Sequence, residues 1–181
     1  MPTVRTAFAL LVVAAFGGAQ PEASIPKGWH QFVSDKAGYI AYYPGDWYVL
    51  LRDAPTLYVA NFQPSHAVRA VIVPANGATI SIAPPPAGVT SIDQWISDAT
   101  AAHNVRSKRT FSLQRPQGKA SVMVHEVVFG SIEGPDTTSW YFELSGRLLV
   151  ANLSYWEEDR AAPNYKSVLT LILRFIAPLQ Q

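Results

Sequence analysis

The stretch Gly38-Tyr39-Ile40-Ala41-Tyr42-Tyr43-Pro44-Gly45-Asp46-Trp47 joins an aromatic strand to a proline–glycine corner. Because proline locks the backbone angle φ, Pro44 fixes the corner, and Gly45 relaxes it. Trp47 then returns a large side chain to the core. A β-prone run at residues 31 to 34 and a turn lead into this stretch. The sequence therefore predicts a β-hairpin that ends in a corner.

Two predicted helices interrupt a series of strands in the rest of the chain. Ser91 can cap a helix from about residue 92 to 103, with the Gln94 side chain reaching back as in a capping box. A second helix is predicted over residues 165 to 176. The further predicted strands are residues 47–51, 56–62, 79–82, 110–114, 121–129, 138–144 and 147–156. This pattern predicts an α+β domain with a central antiparallel β-sheet flanked by helices.

The N-terminus has the layout of a secretory signal peptide. Arg5 carries its positive charge, residues 7 to 16 are apolar, and Gly17-Gly18-Ala19 supplies small residues. We expect cleavage after Ala19, which makes residues 1 to 19 a signal peptide. The protein is then exported, to the periplasm or the extracellular space of a bacterium.

The remaining chain is predicted to be a lead-in over residues 20 to 27 and a single domain over residues 28 to 178. Without Arg5, the 14 basic residues become 13, equal to the 13 acidic ones. This balance argues against nucleic acid as a partner, since phosphate binding needs a basic excess. The chain has no cysteine, which excludes disulfides, thiolate metal sites and a cysteine-linked lipid anchor. No later segment is apolar over the length that a membrane span needs.

The corner resembles the opening of PsbP-like domains, in which a glycine and an aromatic strand lead to Tyr-Pro-x-x-Trp, here Tyr43 to Trp47. A later hairpin with Trp140 and Gly146-Arg147-Leu148 is also similar to that family. The resemblance implies an α/β/α sandwich. The family includes an extrinsic photosystem subunit, a nuclear-transport factor that binds a small GTPase, and many exported bacterial proteins. The resemblance also implies a noncatalytic binding or assembly module with a protein partner, most similar to the exported bacterial group.

Five residues are candidates for a binding surface. Trp29, Tyr155 and Trp156 are candidates for exposed aromatic anchors of an interface, and packing in the core or at its rim is the favoured alternative. His66 and Arg69 lie in a segment broken by prolines, which is a candidate for a binding loop, with a plain surface loop as the favoured alternative. Neither the histidines nor the acidic residues have metal-ligand spacing. We therefore expect no catalytic residue, no metal and no cofactor.

Two other function classes remain open. Gly45-Asp46-Trp47 matches the Gly-x-Trp of lipocalins, which would make the protein a carrier of small apolar ligands. A barrel of that type leaves little room for the helix at residues 92 to 103. The third alternative is a hydrolase that uses His125, or Glu126 and Glu143 meeting across neighbouring strands.

Overall fold

The computed structural model describes residues 24–50, 55–64, 72–116, 119–132, 134–156 and 162–180. The described part contains ten strands and two helices. The strands are β1 Trp29–Ser34, β2 Tyr39–Pro44, β3 Tyr48–Val49, β4 Leu57–Ala60, β5 Ala78–Ala83, β6 Val105–Leu113, β7 Val122–Phe129, β8 Asp136–Leu144, β9 Arg147–Tyr155 and β10 Ala177–Pro178. The helices are α1 Ile92–Ala102 and α2 Ala162–Phe175.

The strands form two antiparallel sheets. The larger has the order β3-β4-β5-β9-β8-β7-β6, and the smaller has the order β1-β2-β10. The hairpins β6–β7, β7–β8 and β8–β9 make a meander, and β5 pairs with the outer side of β9. These findings confirm the predicted α+β class and the antiparallel sheet.

The larger sheet is open, with β3 and β6 as its edges in the described part of the chain. A lipocalin needs a sheet that closes on itself into a barrel. The described strands do not form that barrel, so the structure contradicts the lipocalin alternative.

The two helices contact opposite faces of the larger sheet. Side chains alternate along a strand, so Leu149 and Ala151 of β9 point to one face and Val150 to the other. The first face, which we call the α2 face, packs against buried residues of α2 such as Leu169 and Ile172. The second face, the α1 face, packs Val127, Tyr141 and Val150 against Trp95 of α1. The cluster on the α1 face is the smaller of the two.

The aromatic strand that precedes the corner connects the two sheets through Tyr39. Tyr39 of β2 is fully buried, and its hydroxyl accepts from Leu57 N (3.0 Å) and donates to Ile82 O (2.8 Å). Leu57 and Ile82 are opposed residues of β4 and β5, so the phenol bridges these two strands at that pair. Trp47 is buried in the same core, as the sequence predicted.

Gly45 has a different role from the one expected. Its φ is not among the positive values, so the corner does not need the flexibility of glycine there. A Cβ on Gly45 would lie 2.2 Å from Gly28 O and 2.7 Å from the His30 ring. Glycine is therefore needed because the β1 end packs directly on the corner.

Several boundaries differ from the sequence prediction. β3 has two residues, and β6 begins at Val105 rather than residue 110. Ser91 caps α1 by accepting from Gln94 N (3.2 Å), as predicted. The Gln94 side chain, however, accepts from Thr90 N (3.1 Å), so the reciprocal bond ends one residue earlier than in a capping box.

Some predictions fall outside the described residues. These are the signal peptide at residues 1 to 19, the candidate residues His66 and Arg69, and the acidic run at residues 157 to 159. Among the helices that the structure does describe, none has the length and apolar character to cross a membrane.

Candidate functional site

A row of polar side chains crosses the α1 face. Ser81 of β5, Asn152 of β9 and Ser139 of β8 are opposed across three neighbouring strands. The Ser139 hydroxyl donates to Asn152 Oδ1 (2.7 Å), and Asn152 Nδ2 donates to Ser81 Oγ (3.3 Å). These bonds hold the Asn152 amide at a fixed orientation in the sheet.

A second polar pair lies two residues along the same strands. The hydroxyls of Thr137 and Ser154, opposed on β8 and β9, are 2.9 Å apart. Both side chains are half-buried. The α1 face thus carries a group of neighbouring hydroxyl and amide side chains.

Aromatic rings border this polar area. Tyr141 is buried and packs edge-on against Trp95 of α1, with ring centroids 5.3 Å apart. Phe129 of β7 makes a similar contact with His103 at the end of α1, at 5.5 Å. Burial raises the pKa of Tyr141, and a hydrogen bond with Ser139 only partly offsets it. The phenol is therefore protonated and able to donate at neutral pH.

Together these groups form a cleft between the end of α1 and the sheet, which we call the α1 cleft. Its volume is about 330 Å³. Its lining residues are Ala99, His103, Phe129, Thr137, Ser139, Tyr141 and Asn152. No Asp, Glu, Lys or Arg belongs to this lining, so the cleft offers neutral hydrogen-bonding groups and aromatic surface.

A smaller hollow of about 230 Å³ is lined by Ile96, Lys108, Arg109, Thr110, His125, Glu126 and Val127. His125 Nδ1 and Thr110 Oγ1 are 3.3 Å apart. Lys108 and Thr110 are exposed on the edge strand β6.

Glu126, the buried carboxylate of β7, lies on the α2 face, opposite to the α1 cleft. Glu126 accepts from Trp140 Nε1 (2.7 Å) and from Arg109 Nε (2.5 Å) and Nη2 (3.1 Å). Burial by itself would raise the pKa of Glu126. The bonds from Arg109 and Trp140 and the charges of Arg109 and Lys166 outweigh burial, so the pKa is lowered. Glu126 is an ionised structural group.

The hydrolase alternative is wrong for the residues that suggested it. Glu126 is opposed to Trp140 on β8, whereas Glu143 lies three residues further and is exposed on the other face. His125 also points away from Glu126, because neighbouring strand residues face opposite sides. Within the described part of the chain, no three His, Asp or Glu side chains group closely enough to hold a metal ion.

The predicted aromatic candidates do not form one surface. Tyr155 is buried against Tyr165, with ring centroids 6.4 Å apart, so for this residue core packing is confirmed and the exposed anchor is wrong. Its side chain falls on the α2 face, which the C-terminal helix covers. Trp156 is half-buried, and its indole donates to Val73 O (2.7 Å). Trp29 is half-buried in the other sheet, where it packs against the core.

Sequence reasoning missed the α1 cleft. The available signal was the presence of the polar residues Ser139 and Asn152 within strands that are largely buried. Only the register of β8 and β9 shows that these two are opposed.

By sequence, the chain matches no family model and no curated protein. By structure, it is similar to a protein from Bacteroides thetaiotaomicron (13% identity, TM-score 0.49) and to a Pseudomonas aeruginosa protein of unknown function (12%, 0.44). It is also similar to cyanobacterial PsbP from Synechocystis (15%, 0.44). The match to the Bacteroides protein covers 85% of this chain and 50% of that protein. The match to the Pseudomonas protein covers 84% and 99%, and the match to cyanobacterial PsbP covers 90% and 98%, in the same order. The chain thus spans half the length of the Bacteroides protein, and PsbP-like proteins are among the structures that it resembles.

Proposed function

We propose that the protein is an exported, noncatalytic binding module of PsbP-like type, and that its ligand enters the α1 cleft. The observation that carries this proposal is the lining of the cleft. Hydroxyl, amide and aromatic groups converge there, and no Asp, Glu, Lys or Arg belongs to the lining. Such convergence of polar groups on a concave, partly apolar surface is typical of binding sites.

The internal hydrogen bonds of the cleft favour recognition over chemistry. Asn152 is held by Ser139 and Ser81, so its remaining donor and acceptor sites are fixed in direction. A preorganised group binds with a smaller entropy cost. General acid–base catalysis would instead need a titratable pair within hydrogen-bond reach. The Glu126 carboxylate, which is ionised, is on the opposite face and bound by Arg109 and Trp140.

The PsbP-like α/β/α sandwich is part of the same proposal. It is supported by the contacts of α1 and α2 with opposite faces of the seven-stranded sheet. The small β1-β2-β10 sheet adds to the α2 side through Tyr39 and Ala41, which share the core with α2.

Export to the periplasm or the extracellular space is supported by the signal-peptide layout of residues 1 to 19, with proposed cleavage after Ala19. Mass spectrometry of the exported protein tests it. We expect an N-terminus at Gln20, and an intact Met1 or Pro2 would overturn it.

A protein partner could also use the half-buried Trp29 and Trp156, with His66 and Arg69. Large aromatic and arginine side chains are frequent anchors of interfaces. These contacts are separate from the α1 cleft, since Trp29 lies in the smaller sheet, on the side of α2.

Chemical-shift mapping tests the role of the cleft. The ¹⁵N-labelled full chain is titrated with a mixed library of small molecules, both neutral and charged. We expect the amide shifts to concentrate at the α1 cleft, around Ala99, Phe129 and Thr137. Shifts that concentrate elsewhere, or no shifts at all, would refute the proposal. Glu143→Gln is the control variant and should leave the shifts in the cleft unchanged, because Glu143 is exposed on β8 and does not line the cleft.

A further inference from the structure

The lining of the α1 cleft also restricts the chemistry of its ligand. A charged ligand needs an opposite charge or it loses its hydration without compensation. The nearest carboxylate along β8, Asp136, already accepts from Arg106 Nη1 (2.8 Å) and Ser131 N (3.2 Å). It also points to the other face from Thr137. The cleft is therefore suited to a neutral ligand.

The polar groups of the cleft can both donate and accept. Asn152 uses one of its two amide hydrogens for Ser81, and its oxygen accepts from Ser139. The amide retains a second hydrogen and a second lone pair. Thr137 and Ser154 are hydroxyls with the same dual capacity. A ligand that carries several hydroxyl groups matches such a set, because each of its hydroxyls also donates and accepts.

The aromatic border adds a second requirement. Phe129 is half-buried, Tyr141 is fixed by Trp95, and His103 packs edge-on against Phe129. Aromatic rings have a negative face, which attracts the weakly positive hydrogens of C–H groups. A pyranose ring presents such C–H groups on its faces and hydroxyls around its rim. A saccharide satisfies both requirements with one molecule.

The size of the cleft agrees with this ligand class. Small-molecule sites have volumes of about 300–1,000 Å³, and the α1 cleft has about 330 Å³. That space suits one or two sugar rings rather than a long glycan or a folded domain. The open side of the cleft would let a terminal sugar of a larger molecule enter.

We propose that the α1 cleft binds a neutral saccharide, with Asn152 and Thr137 bonding its hydroxyls and Phe129 packing against its ring. This inference rests on the proposed function, because it assumes that the cleft is the binding site.

The probes are neutral mono- and disaccharides of glucose, galactose, mannose and N-acetylglucosamine. The matched charged probes are glucuronic acid and glucosamine, and neutral dipeptides serve as non-sugar probes. Each is added to the ¹⁵N-labelled full chain. We expect at least one neutral saccharide to shift the amides of His103, Phe129 and Asn152 with a saturable Kd. The charged analogues of that sugar should bind at least tenfold more weakly.

Two variants test the assigned contacts. Asn152→Leu and Phe129→Leu should each weaken saccharide binding at least tenfold, whereas Glu143→Gln should leave it unchanged. If Asn152→Leu fails to fold, Thr137→Val takes its place, because it keeps the side-chain shape and removes one hydroxyl of the cleft.

The outcomes separate this inference from the proposed function. If dipeptides shift the cleft and saccharides do not, the saccharide assignment is wrong and the binding module stands. If a charged sugar binds as well as its neutral counterpart, the assignment of a neutral ligand is wrong. If no probe of any class shifts the cleft, both proposals are wrong.

Discussion

Replacing Tyr39 by Phe removes a hydroxyl that joins two strands. The phenol accepts from Leu57 N (3.0 Å) and donates to Ile82 O (2.8 Å) in a fully buried position. Without it, one buried N–H and one buried C=O lose this partner, and each such loss costs about 1–3 kcal/mol. β4 and β5 are adjacent and can close part of the gap. We therefore expect the free energy of unfolding to fall by about 2–4 kcal/mol.

Urea unfolding monitored by tryptophan fluorescence measures this change. Tyr42→Phe is the matched control, because Tyr42 lies on the other face of β2 and is half-buried. The same chemical change there should cost less than about 0.5 kcal/mol, as most substitutions away from buried networks do. If Tyr39→Phe is as stable as Tyr42→Phe, the bridge between β4 and β5 does not stabilise the domain.

The same hydroxyl predicts an alkaline pH dependence. Burial raises the pKa of Tyr39 well above its usual value, and the bond from Leu57 N–H offsets only part of this. A raised pKa in the folded state gives stability that is complete below the unfolded pKa of about 10 and is lost as the pH rises above it. The wild type should therefore lose more stability above pH 10 than Tyr39→Phe does. Equal losses would contradict a buried, protonated phenol.

Glu126→Gln should lower the free energy of unfolding at pH 7 by about 1–2 kcal/mol, because Arg109 and Trp140 lose a charged acceptor while Arg109 keeps access to water. The pKa of Glu126 is lowered in the folded state, so this stability is present above the unfolded pKa and is lost as the pH falls. The difference in Tm between wild type and variant should therefore narrow from about pH 5 to pH 3. A constant difference would contradict an ionised Glu126 that stabilises the fold. Ser91→Ala removes the cap that accepts from Gln94 N and should cost about 1 kcal/mol in thermal unfolding. A loss below about 0.3 kcal/mol would show that α1 is held by its packing alone.

The strands and helices were largely predictable because their signals are local. Alternation along residues 121 to 129 correctly assigned Val124 and Glu126 to one face and His125 to the other. Helical spacing correctly assigned Trp95 to the core. The boundaries of a strand are less predictable. β6 begins at Val105, earlier than predicted, because its first, polar residues pair with β7, and that pairing is a tertiary effect.

The candidate site was not predictable in the same way. The sequence left open whether Tyr155 is an exposed anchor or a core residue, and the packing of α2 on that face of β9 decides for the core. The α1 cleft instead depends on Asn152 meeting Ser139 and Ser81, which are 13 and 71 residues away in the sequence. No local pattern shows that three separate polar residues will share one row.

The sequence by itself determined the hairpin of β1 and β2, the corner from Pro44 to Trp47, the α+β class and the faces of the individual strands. These features follow from backbone geometry and from the period of the side chains, which neighbouring residues fix. The tertiary structure decided which strands are adjacent, that the sheet stays open, and that Gly45 is required by the approach of Gly28 and His30. It also decided that polar groups meet beside α1, because strand order and register arise from packing the whole chain around one core.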